Sequence, residues 1–154
     1  MQQKGAGRVD SLMKCTNIIA RCATRRRNKE LESIGLTGNQ YAFILNICRN
    51  PGLTQEELSS LIYIHKSNVD RQVAALCEAG FVYREISAKD KRQMCLYPTE
   101  KAKEALPQIR QTLTDWNGYL LEEFSQEEQE TLLSMINRLS LRARAWVDQE
   151  DAKR

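Results

Sequence analysis

From His65 to Gln72 the sequence gathers Lys66, Ser67, Asn68, Arg71 and Gln72 into one short stretch. These residue types can recognise nucleic acid. Arg pairs bidentately with guanine, Asn with adenine, and Ser serves a base edge or a phosphate. Lys66 and Gln72 flank that set and suit phosphates better than bases, and His65 could cap a helix or touch a phosphate. A second cationic group follows, with Lys89, Lys91 and Arg92 around Asp90. An arginine inserted into a narrow A·T-rich minor groove meets an enhanced negative potential. Asp90 is unfavourable against phosphates unless it pairs with a cation, so its expected work is to orient Arg92 or to hold the segment rigid.

Other chemistries are poorly served. His65 is the lone histidine, which removes most schemes that need paired histidines as metal ligands or as base and orienter around a nucleophile. No enzyme activity, cofactor or metal is expected. Five cysteines, Cys15, Cys22, Cys48, Cys77 and Cys95, are an odd number at irregular spacing without a Cys-x-x-Cys pair, which argues against disulfide frameworks and structural zinc.

The chain of 154 residues has room for one compact unit or for one unit with long appended elements, at roughly 150 residues per domain. No apolar run reaches the roughly 18 residues of a membrane span, and MQQKGAGRVD lacks the apolar core of a leader, so a cytoplasmic protein with no membrane partner is expected. The net charge of +3 hides an asymmetry: residues 1–29 carry eight Lys/Arg against one Asp, while residues 115–130 carry six acidic residues and no Lys or Arg. That pattern permits a polyanion on one side of the molecule; simple solvation of helix faces is the alternative.

The positioning elements follow from hydrophobic period. Leu12, Cys15, Ile19 and Cys22 mark one stripe of a helix over about residues 8–29. Thr37 and Gln40 have capping-box spacing and open a second helix, with Tyr41, Ile44, Leu45 and Cys48 as its expected buried stripe. Thr54 and Glu57 repeat the box before a short helix, and residues 66–79 form the next, with Val69, Val73 and Leu76 inward and Gly80 closing it. At about 100° per residue that burial turns Ser67, Arg71, Ala74 and Glu78 outward, with Asn68 on one shoulder. Ala74 and Ala75 keep the helix slim for a major groove, and its N-terminal half should read. From Phe81 the period becomes two, so residues 81–86 and 93–97 read as a hairpin with a polar tip. Two long amphipathic helices follow, with a bend or a late start expected at Pro107 and a capping box at Ser125 and Glu128. Joined to the first helix they look like a dimerisation module; an intramolecular bundle is the alternative.

The predicted fold is therefore mainly α: a central winged helix-turn-helix with a two-stranded β-wing over residues 36–99, flanked by long helices at 8–30 and 100–148. Leu36-Thr37 through Gln40, Gly52–Leu58, Lys66–Arg71, Leu76–Val82, Asp90-Lys91-Arg92 and Leu96–Lys101 together resemble the MarR family of bacterial transcriptional regulators, and the similarity spans the whole chain. The resemblance implies a homodimer on a pseudo-palindromic operator of double-stranded DNA, with a recognition helix in each major groove, Arg92 in the adjacent minor groove, and half-sites roughly 34–36 Å apart. The family's wing commonly reads D-x-R-D-x-R; here Ser87 and Lys89 replace its first Asp and first Arg, while Asp90 and Arg92 match.

The same resemblance implies release from DNA by a small aromatic or anionic effector or, alternatively, by oxidation of a sensor thiol. Cys15 and Cys22 are the candidates for the thiol, with Arg21, Arg25 and Arg26 nearby to lower its pKa, although filler on an apolar stripe is the commoner role of such residues. A winged helix that binds protein rather than DNA is the alternative from another class.

Overall fold

A computed structural model describes residues 6–153, with side chains from residue 11 onward. Residues 1–5, which hold Lys4 of the basic N-terminal run and the opening of the segment read for a leader, and Arg154 lie outside the described residues. The elements are α1 (Ala6–Leu31), a single 3-10 turn (Glu32–Ile34), α2 (Tyr41–Arg49), β1 (Leu53–Thr54), α3 (Gln55–Ile62), α4 (Lys66–Glu78), β2 (Val82–Ile86), β3 (Met94–Pro98), α5 (Glu100–Leu121) and α6 (Gln126–Asp151). The chain divides into two compact units between Leu113 and Thr114.

The first unit has its core where α2, α3, α4 and the sheet converge. Phe43, Ile44, Ile47, Leu58, Val69, Val73, Leu76, Phe81 and Leu96 are buried there, each contributing about 1.5–3 kcal/mol through removal of apolar surface from water. On α2 the inward face is Phe43, Ile44 and Ile47, whereas Tyr41, Leu45 and Cys48 are half-buried at its edges. The expected stripe was thus rotated: contact on two sides, from α3 and from the sheet, widens the buried face beyond one line of residues. The Thr37–Gln40 box forms by half. Gln40 Oε1 accepts from the Thr37 amide at 2.9 Å, but no side chain caps α2, because the segment folds first as a turn in which the Gln40 amide donates to the Thr37 carbonyl.

Both other boxes form completely, at Thr54–Glu57 before α3 and at Ser125–Glu128 before α6. Helix α4 ends where Gly80 takes a φ of +79°; the Phe81 amide then donates to the Leu76 carbonyl, satisfying a carbonyl the helix leaves open. The sheet has three strands rather than two, all antiparallel, in the order β1-β3-β2. Leu53 and Thr54 pair with Leu96 and Cys95, a strand too short to show any period in the sequence. Helix α5 starts at Glu100 and continues through Pro107 without a late start. Pro107 and Lys103 are exposed, so water can serve the carbonyl that proline leaves without a donor.

Helix α1 is tied to the winged helix by polar contacts near its end. Arg27 Nε donates to the Gly38 carbonyl at 2.7 Å, the Gly38 amide donates to Asn28 Oδ1 at 2.6 Å, and the Arg27 guanidinium stacks 4.4 Å from the Tyr41 ring centroid. Gln108 Nε2 donates to the Glu30 carbonyl at 2.7 Å. In the second unit Gln129 Nε2 donates to the carbonyls of Leu121 and Phe124, closing the turn before α6. No residue of α6 is buried, and its Leu133, Ile136, Leu139 and Trp146 are exposed, as are Leu12, Ile18 and Ile19 of α1. Among the described residues no helix is long and apolar enough to cross a membrane.

Candidate nucleic-acid interface

Burial of Val69, Val73 and Leu76 fixes the rotation of α4, and the opposite side presents Lys66, Ser67, Arg71, Ala74 and Glu78 to solvent with Asn68 half-exposed. His65 is the N-cap: its Nδ1 accepts from the Ser67 amide at 3.3 Å and lies 2.9 Å from Ser67 Oγ. Accepting at Nδ1 requires the tautomer with the ring proton on Nε2, which leaves an N–H donor on the other side of the ring. The first turn of α4 carries no acidic residue, so nothing in it offsets the positive end of the helix dipole beside Lys66.

Arg71 Nη2 donates to Asn68 Oδ1 at 3.0 Å, joining two of the three candidate base readers, one turn apart. Asp70 is turned to α3, where Oδ1 accepts from Gln55 Nε2 at 2.6 Å. Gln72 is half-buried and its Oε1 accepts from Gln40 Nε2 at 3.3 Å, a tie to the start of α2 with no periodic signal in the sequence.

The hairpin tip is built by two side chains. Ser87 Oγ accepts from the amides of Lys89 and Asp90, at 3.2 and 3.3 Å, and Asp90 Oδ1 accepts from the Arg92 amide at 3.0 Å. Asp90 thus bonds the backbone of Arg92, and Ser87 supplies an acceptor to the turn where an aspartate would otherwise stand. Lys89, Lys91 and Arg92 are exposed, and among the described residues no ion pair engages them, Lys66 or Arg71. A slim helix and an ordered cationic tip, whose cations are held in no ion pair among the described residues, can contact a groove and its phosphates together. Two supports escaped the sequence reading. Lys101 Nζ donates to the Ala79 carbonyl at 2.7 Å and stacks 4.4 Å from the Phe81 ring centroid, fixing the joint between α4 and β2, and Tyr83 stacks on Tyr97 at 5.5 Å across the hairpin.

Cys15, Cys22 and Cys48 lie apart from these groups along the chain, whereas Cys77 is on α4 and Cys95 on β3. Cys15 and Cys22 are exposed on α1, while Arg26 is ion-paired with Glu30 at 2.6 Å. Burial pushes the Cys48 thiol above its ordinary pKa, with Lys103 and Arg110 partly opposing the rise. Among the described residues no three His, Cys, Asp or Glu side chains gather as a metal site.

Residues 34–93, from the end of α1's connection through the hairpin tip, match the model of the MarR family. The transcriptional regulator SlyA has the same fold at a TM-score of 0.83 and 29% identity, covering 87% of this chain and 94% of that one. The chain belongs to the MarR family. Its likeness to known regulators extends well beyond the matched segment: the uncharacterized HTH-type transcriptional regulator YybA of Bacillus subtilis (strain 168) is 28% identical over 131 residues, 85% of this chain and 87% of YybA. A MarR family regulator from Listeria monocytogenes, solved in complex with a 26mer DNA, shares the fold at a TM-score of 0.80 with 23% identity, covering 86% and 89% of the two chains. As a MarR family member the protein is a DNA-binding transcriptional regulator and not an enzyme, on a mainly helical winged-helix fold.

Proposed function

We propose that this MarR family protein is a repressor that binds a pseudo-palindromic operator as a homodimer and leaves it when a small aromatic or anionic effector binds. The observation that carries the reading is the pair of exposed cationic elements, the N-terminal half of α4 and the hairpin tip, with no ion pair neutralising either among the described residues. Ser67, Asn68 and Arg71 read the major groove; His65, Lys66 and Gln72 hold phosphates; Lys89, Lys91 and Arg92 serve the wing, with Asp90 holding its tip. The dimer reading is supported by the apolar residues left exposed along α1 and α6, which a second copy would cover under two-fold symmetry. A dimer presents two recognition helices, hence a two-fold operator. Such a protein works on chromosomal DNA in the cytoplasm.

A duplex selected from a randomised pool tests the reading. Retardation that steepens as salt falls, with two protomers per duplex by analytical ultracentrifugation, is the expected result. Salt-independent or absent retardation overturns it. Control by a thiol is a second reading, favoured by the exposure of Cys15 and Cys22 on α1.

A further inference from the structure

The geometry points to Gln40 as a positioning residue for DNA binding: without touching the duplex, it fixes the amide of Gln72 so that Gln72 presents hydrogen-bond donors, not an acceptor, to the phosphates. The inference rests on the proposed phosphate contact of Gln72 and adds what sets its polarity. The chain of bonds begins at a group whose role cannot change, since the backbone N–H of Thr37 only donates. It donates to Gln40 Oε1 at 2.9 Å, so the other end of that amide is its NH2. Gln40 is 8% exposed and sits at the N-terminus of α2, so its side chain is held where it is. Its Nε2 donates to Gln72 Oε1 at 3.3 Å. With its oxygen turned to Gln40, half-exposed Gln72 keeps its NH2 for another partner. Two donors suit an anionic phosphate oxygen, whereas bidentate reading of adenine would also need the oxygen. The relay also explains why a glutamine is buried at the N-terminus of α2: a leucine there would leave the Thr37 amide and the Gln72 oxygen without these partners.

Affinity for a duplex selected by the parent protein from a randomised pool, and for a scrambled duplex of equal length, tests this at fixed salt. Gln72→Met is expected to weaken both duplexes alike, by about three- to tenfold. Gln40→Glu keeps the oxygen that serves Thr37 but removes the donor, so Gln72 must turn its NH2 inward and its oxygen outward. It is expected to lose affinity to a similar extent in the parent background and to change affinity by less than about twofold when Gln72 is already Met. Losses that multiply in the double variant overturn the inference, as does a Gln72→Met loss confined to the selected duplex or no loss at all. If Gln40→Glu does not fold by circular dichroism, Gln40→Met takes its place in the same cycle. A parent protein that retards neither duplex overturns the DNA-binding reading itself, whereas binding with independent losses overturns only the role of Gln40.

Discussion

Arg71 and Asn68 are bonded to each other, Nη2 to Oδ1 at 3.0 Å, before any DNA is present. The bond presets the guanidinium and makes the two residues one reading unit. Arg71→Ala is expected to lower affinity by about 1–3 kcal/mol at one operator base pair and to leave scrambled DNA little changed. Asn68→Ala removes both its own contact and the orientation of Arg71, so the double variant loses less than the sum of the single ones. Titration of the variants against single-base operator substitutions measures both; equal loss on operator and scrambled DNA removes Arg71 from the readers.

The wing should contribute affinity with less discrimination. Lys91→Ala is expected to weaken all duplexes similarly and to reduce the slope of log affinity against log salt by about one. Ser87→Ala strips the acceptor from the amides of Lys89 and Asp90, so it should mimic part of that loss, while Ser87→Asp preserves the turn. A Ser87→Ala protein that binds like the parent at every salt concentration would show that order at the tip is irrelevant.

His65 stabilises α4 as its N-cap. His65→Ala is expected to cost about 0.5–2 kcal/mol in chemical denaturation, and His65→Asn to recover most of it. A full affinity loss in His65→Asn with stability restored would separate a phosphate contact from the cap.

Gly38 lies where the connection to α2 crosses α1. A Cβ there would stand 2.5 Å from the Thr24 carbonyl oxygen and 2.9 Å from the Asn28 amide nitrogen, both backbone atoms. Gly38→Ala should therefore destabilise the fold by about 1–3 kcal/mol. Gly118 is the contrast: helical with open space at its Cβ, it should gain up to about 1 kcal/mol as alanine. Denaturant midpoints decide both signs.

The thiols differ in environment. Because burial raises the pKa of Cys48, the unfolded chain releases that proton first as pH rises. The contribution of Cys48 to stability is therefore complete below the ordinary thiol pKa and falls away as pH climbs through the raised value; Cys48→Ala should flatten that alkaline decline. At neutral pH, alkylation followed by mass spectrometry should label exposed Cys15 and Cys22 before Cys48. If Cys15→Ser, Cys22→Ser and the double variant all respond to organic peroxide as the parent does, a thiol switch at these positions is excluded.

Features with a period or a fixed local chemistry were legible in the sequence. Val69, Val73 and Leu76 define the inner face of α4, and both complete capping boxes rest on one pair of residues each. Features made by distant residues were not. β1 is two residues long and exists because β3 pairs with it, and the inward face of α2 depends on partners that surround it. Within the candidate interface the outward residues of α4 could be listed from helical angle alone. Their coupling could not: Gln40 reaches Gln72 across the fold, and Ser87 takes up a task usually read from an aspartate only because the turn brings two amides onto its hydroxyl.

The central position of β3 has a mechanical consequence. On one side it pairs with β2, its hairpin partner; on the other it pairs Leu96 with Leu53, laid down before α3 and α4 begin. The strands close a loop around the helix-turn-helix, so the joint between helix and wing is carried by the ladder rather than by the covalent turn at residues 87–93. A chain nicked at that tip would remain one particle, and the tip can lengthen or shorten without changing where the base of the hairpin stands against α4.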